Sequence, residues 1–173
     1  MKKYVIILFF VFALNSSFSN AENKIVFIDM EKVMTTSKAG SSILNQIEVR
    51  NKKALLEFND NKKKLKELET QLISQKNILA KPEYEKKVIK LRSEIKKYQD
   101  QRKETIMKLN QLKVSNTNDF LQKINQLLVK FSNENSISLI LQKNNIVTGK
   151  SELDISNEMI KIIDLNIQEF IIK

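Results

Sequence analysis

Apolar residues recur every seven positions through the middle of this chain, in a stretch with almost nothing to interrupt it. Ser41 to Phe131 contains no glycine and a single proline, Pro82. Counting from Leu44, one set of heptad positions is Leu44, Asn51, Phe58, Leu65, Leu72 and Leu79, and its companion set is Ile47, Ala54, Asn61, Leu68 and Gln75; eight of these eleven are apolar. Beyond Pro82 a second register runs through Val88, Ile95, Arg102, Leu109 and Asn116 with Tyr84, Leu91, Tyr98, Thr105 and Leu112, seven of ten apolar. This period predicts amphipathic helix. After a polar patch at Ser115 to Asp119 the stripe resumes one residue out of step at Phe120, Ile124, Leu127, Leu128 and Phe131, a slip that predicts a change of packing environment.

Two stripes of similar length around one proline predict a helical hairpin rather than a single kinked rod. Inside a helix a proline costs about 3 kcal/mol and disfavours helical angles in the residue before it. At the start of a new helix it costs little, and Glu83 and Glu85 then sit where carboxylates suit the helix dipole. The tip is expected near residues 80–82, and an arm from Ser41 to Leu79 would reach roughly 58 Å.

The flanks carry a different period. Lys24 to Asp29 (KIVFID) and Ser136 to Gln142 (SISLILQ) read as strands. In the second, Ile137, Leu139 and Leu141 alternate against Ser138, Ile140 and Gln142. Val26, Ile28, Leu139 and Leu141 are therefore the expected core of a small body and of its oligomer contact, and Ile146 and Val147 are a candidate third strand. Asp154, Ile155 and Ser156 form a helix-cap motif ahead of Met159, Ile162, Ile163 and Phe170 at helical spacing. The fold class is α+β: a small β/α body from residues 22–40 and 132–173, and a hairpin arm from residues 41–131. About sixty body residues are few for an independent core, which predicts oligomerisation.

The first 21 residues combine Lys2 and Lys3, an apolar run from Tyr4 to Leu14, and small residues at Ser19 and Ala21. That is the layout of a cleaved signal peptide, with the cut between Ala21 and Glu22. Eleven apolar residues make about 17 Å of helix, short of a hydrocarbon core of about 30 Å. The chain is therefore expected to be exported, to the periplasm if the cell is Gram-negative. Charge is segregated: Arg50 to Lys113 holds nineteen Lys or Arg against nine Asp or Glu, while the rest of the mature chain holds nine against eleven.

The chain has no cysteine and no histidine, and only two glycines, Gly40 and Gly149. Disulfides, Ser-His and Cys-His pairs, ordinary zinc sites and phosphate-cradling loops all lack their residues. No catalytic, metal or cofactor site is expected, so the chain is not read as an enzyme. Asp29, after a strand, is read as a helix cap, and Tyr84 and Tyr98 as arm-packing aromatics.

The run KIVFIDMEKVMTTSKAG (Lys24 to Gly40), the SISLILQ strand and LDISNEMIK (Leu153 to Lys161) together resemble the Skp/OmpH family of periplasmic chaperones. The resemblance covers the mature chain in order and spacing. It implies a homotrimer whose bodies associate and whose three arms surround a cavity. Unfolded outer-membrane proteins would be held there without ATP, as in outer-membrane protein assembly.

Several arm residues are candidates for contact with clients or with anionic lipid or lipopolysaccharide: Lys62, Lys63, Lys64, Lys86, Lys87, Lys90, Lys96 and Lys97, and the off-stripe apolar residues Leu56, Ile73, Ile89 and Ile106. The plain counter-reading of the lysines is a solvated face, paired in part with Glu67, Glu69 and Glu94. An alternative function for the same hairpin is a structural adaptor, a coiled-coil spacer bridging envelope components. Nucleic acid is not an expected specific partner, because binding on charge alone is salt-sensitive and sequence-independent and export removes the partner.

Overall fold

The computed structural model describes residues 24–167 and 170–172. The expected cleavage point at Ala21 and Glu22 lies outside the described residues. In chain order the elements are β1 (Lys24–Ile28), α1 (Met30–Thr36), α2 (Lys38–Ser74), α3 (Lys81–Glu134), β2 (Ile137–Gln142), two 3-10 turns (Lys143–Asn145 and Ser151–Leu153) and α4 (Ser156–Asn166). Among the described residues no helix is long and apolar enough to cross a membrane.

Short polar residues start the helices. Asp29 caps α1 by accepting from the Lys32 amide at 2.9 Å. Ser37 ends α1 in an extended conformation and caps α2 by accepting from the Gly40 amide at 3.2 Å. The corner between α1 and α2 is so tight that a Cβ on Gly40 would fall on the Met34 carbonyl, 2.9 Å from its carbon. Only glycine lets the two helices approach this closely.

α2 and α3 form the hairpin. The turn between them runs from Gln75 to Ala80, and Pro82 lies in the first turn of α3, where its missing amide is not needed. With 37 and 54 residues, the helices are roughly 55 Å and 80 Å long. The longer α3 runs on into the body, where Phe120, Ile124 and Phe131 join Val26, Ile28, Val33, Ile43, Met159 and Ile163 in one buried core. The out-of-step resumption of the stripe at Phe120 marks this passage from a two-helix seam to a many-sided core.

Leaving α3, the chain passes through Ser136 at φ 53°, a left-handed turn that redirects it into β2. β2 pairs with β1 in parallel, and Lys24 opposes Ile137 while Ile25 opposes Leu139, so Ser138 is the extra residue of a bulge. The bulge corrects the expected phase of β2. Ile137 and Ile140 pack on the core beside Val26 and Ile28. Leu139 and Leu141, expected in the core of the body and of its oligomer contact, lie outside the body's own core and face outward at 47% and 37% exposure, next to Ile25 at 46%. Without the extra residue, strict period-two alternation would have put Leu139 and Leu141 with Ile137.

The expected third strand at Ile146 and Val147 does not form. Lys143–Asn145 makes a 3-10 turn and Val147 is wholly exposed. A single bridge from Asp154 to Phe27 takes its place at the edge of β1, with the Ile155 amide donating to the Phe27 carbonyl at 3.0 Å. Phe170, expected on the helical stripe of α4, lies beyond that helix, which ends at Asn166.

Candidate functional site

Along the arm most apolar stripe residues face inward and the candidate residues face water, although Leu68 on the stripe is 43% exposed, as open as the candidate Ile106. Ile47, Ala54 and Leu72 are buried, and Leu65, Leu91, Ile95 and Tyr98 are half-buried. Two polar exceptions in the stripe have local explanations. The Arg102 guanidinium lies 5.8 Å from the Phe58 ring centroid, on the opposite helix. Asn116, only 4% exposed, donates to the Leu112 carbonyl at 2.7 Å. Tyr98 also bridges the seam, its hydroxyl donating to the Phe58 carbonyl at 3.2 Å.

Leu56, Ile73, Ile89 and Ile106 are 67%, 64%, 67% and 42% exposed, respectively. Leu56, Ile89 and Ile106 each have a lysine one helical turn away, Lys53, Lys86 and Lys103 at three residues' spacing, while Lys76, three residues after Ile73, lies in the turn beyond α2. The arm surface thus repeats one unit, an uncovered aliphatic side chain beside a cation. All eight candidate lysines are exposed. Lys87 donates across the hairpin to Gln75 Oε1 at 3.0 Å, and Lys90 stands 4.0 Å from Glu94. Among the described residues the other six have no carboxylate within ion-pair distance, and the expected pairing with Glu67 and Glu69 does not form. Their charge is therefore free to act outward.

The body offers a second surface. The outward face of the sheet presents Ile25, Leu139 and Leu141, while Phe27 on the same face is 8% exposed and covered in part by the chain at Gly149. Around the edge of β2 a groove of about 560 Å³ continues onto α3, lined by Leu121, Leu128, Val129 and Ile140 among others. An uncovered apolar sheet face beside an open strand edge is the kind of surface that other chains close.

At the ends of the strands, charged groups tie four elements together. Lys143 Nζ, just past β2, lies 3.1 Å from Asp29 Oδ2 and 3.8 Å from Asp154 Oδ2. The buried Ser156 hydroxyl accepts from the Asp29 amide at 2.7 Å and donates to Asp154, which also accepts from the Ser156 amide at 2.9 Å. In the cap motif Asp154 supplies the acceptor, Ile155 is the buried N-cap residue and Ser156 opens α4. The Lys32 amide, then Lys143, hold the Asp29 carboxyl below its usual range. Burial pushes Asp154 up, but the Ser156 hydrogen bonds and Lys143 outweigh it and the net direction is down. Lys143 is raised, first by Asp29. Lys143 was missed in the sequence because its partners lie more than a hundred positions away or across a turn. Among the described residues no group of three or more acidic side chains is placed to hold a metal ion.

Comparison with known proteins agrees with this architecture. A family model described as outer membrane protein (OmpH-like) matches residues 24–163. A crystal structure of a candidate outer membrane chaperone (OmpH-like) from Caulobacter crescentus CB15 superposes with a TM-score of 0.78, covering 86% of this chain and 88% of that one at 12% identity. That likeness is one of fold. No curated protein matches the chain.

Proposed function

Because the chain belongs to the OmpH-like family of outer membrane proteins, we propose that it is a periplasmic chaperone that holds unfolded outer-membrane proteins without ATP. The observation that carries this reading is the repeated pairing of an exposed aliphatic residue with a lysine along the arm. Holding varied unfolded chains needs many weak contacts rather than one tight pocket. The aliphatic groups meet apolar client side chains, and the cations attract acidic segments at long range. Three chains would associate through the sheet face of Ile25, Leu139 and Leu141, so that three arms enclose a shared cavity. Export with cleavage after Ala21 would deliver the chain to its clients. The same unpaired lysines give the arm an affinity for anionic lipid or lipopolysaccharide.

The direct test dilutes a denatured outer-membrane barrel protein with and without the chain from Glu22 onward. Aggregation is expected to fall in proportion to added trimer, and no suppression at trimer stoichiometry would refute the reading. Sedimentation equilibrium checks the cavity separately: a monomer at micromolar concentration removes it.

A further inference from the structure

The segment of residues 170–172 lies in a seat on α2 and α3 that has the properties of a peptide site. Beyond α4, Phe170 is half-buried, Ile171 is 76% exposed and Ile172 is 3% exposed, an in-out-in alternation. The segment is held where α2 and α3 enter the body. Gln46 Nε2 donates to the Phe170 carbonyl at 2.6 Å, and Gln46 Oε1 accepts from the Ile172 amide at 3.3 Å. One side-chain amide therefore does what a neighbouring peptide unit does in a sheet: it pairs with residues i and i+2 of an extended backbone. Ser42 Oγ at 3.4 Å from the Phe170 carbonyl and Arg50 Nη2 at 3.5 Å from the Ile172 carbonyl add to this. All four contacts are to main chain and are blind to side-chain identity. Selection comes from the walls, where the Phe170 ring meets Phe120 edge-on at 6.3 Å with Lys123 Nζ 5.8 Å from its centroid.

We propose that this seat is a binding site for extended peptide segments with apolar side chains at alternate positions, one of them aromatic, and that residues 170–172 are its tethered resident. The proposal rests on the chaperone reading for the identity of the incoming chain. Strands of membrane barrels alternate apolar and polar residues and carry aromatic girdles, so unfolded outer-membrane proteins present this pattern. Tethering sets the tail at an effective concentration in the millimolar range. A client segment must compete with it, and return of the tail expels the client with no nucleotide involved.

The experiment compares the chain from Glu22 with a version ending at Ile167, using fluorescence anisotropy of two labelled peptides. One has the sequence of residues 165–173; the other is an unrelated nine-residue peptide alternating Thr with Val, Phe and Leu. Both are expected to bind the shortened chain at least about ten-fold more tightly than the full one, the size of effect expected on removing a tethered competitor. Gln46→Leu in the shortened chain is expected to weaken both by about ten-fold. Equal binding by the two chains, binding of the chain's own peptide alone, or indifference to Gln46→Leu would each overturn the proposal. Should the shortened chain not fold, Phe170→Ser in the full chain loosens the tail without removing it, and no gain in peptide binding there overturns it equally. The barrel-dilution assay separates the two ideas. Peptide exchange without protection of a barrel sinks the chaperone reading and leaves the peptide seat; protection without peptide exchange sinks only the seat.

Discussion

The body and the arm of this molecule use similar apolar residues but pack them to different depths. In the body, Val33, Ile43, Phe120, Met159 and Ile163 have no exposed surface at all, because helices and sheet close around them from several sides. In the arm two helices meet along one seam, and most stripe residues remain half-exposed. The hydrogen bonding differs in the same sense. Body ties such as Asp29 to Ser156, the Lys38 amide to Asp164 and Gln46 to Phe170 span more than a hundred positions. Across the arm, among the described residues, Tyr98 and Lys87 supply the side-chain hydrogen bonds between helices. A region with one buried face keeps its other faces for contact; a region closed from several sides puts most of its apolar side chains into holding itself together.

The contrast breaks first, if it breaks, under truncation. Phe120→Ala in the body is expected to cost about 3–5 kcal/mol, whereas Leu65→Ala in the half-exposed seam costs about 1 kcal/mol. Urea unfolding followed by circular dichroism reads both, and equal losses would show that arm and body form one core of uniform depth. Gly40→Ala comes next. Helix propensity alone favours alanine by about 1 kcal/mol, but the clash with the Met34 backbone reverses the sign to a net loss of about 1–3 kcal/mol. An unchanged melting temperature would mean that α1 yields freely.

The charged tie at the strand ends gives a smaller, pH-dependent effect confined to the body. Asp29 and Asp154 are held below their ordinary values. Their contribution is complete above the unfolded carboxylate value of about 3.9 and fades as pH falls through the lowered folded values. Lys143 is raised, so its contribution is complete below about 10.4 and is lost as pH rises through its folded value. Lys143→Met should lower the melting temperature at pH 7, and the gap to the parent should shrink at pH 3. A gap that stays constant across that range refutes the tie. The smallest effect is a gain: Ser136→Gly removes a side chain from a left-handed position and should stabilise by about 0.5 kcal/mol.

Much of this could be read along the chain. The hairpin was legible because each heptad position implies its neighbour three, four or seven residues away, and Pro82 lies in a helix start that spares its missing amide. The small sheet and the closing helix were legible from β-branched runs and from the motif of Asp154, Ile155 and Ser156. The candidate surface was half legible. Leu56, Ile73, Ile89 and Ile106 fall off the stripe by counting alone, but which lysines lack carboxylate partners depends on side-chain reach, and Glu67 and Glu69 did not supply them.

The sequence by itself determined what is periodic and local: where helices run, which face of each is apolar, where a cap or a proline starts one, and that positive charge gathers in the arm. Tertiary structure decided what depends on partners far apart in the chain. The bulge at Ser138 turned Leu139 and Leu141 outward, because register is set by the strand paired across from it and not by alternation alone. Lys143 reached Asp29, more than a hundred positions earlier, and Gln46 became the anchor of a segment more than 120 residues later. Hydrogen bonds between distant residues leave no periodic trace, so only the folded chain could reveal them.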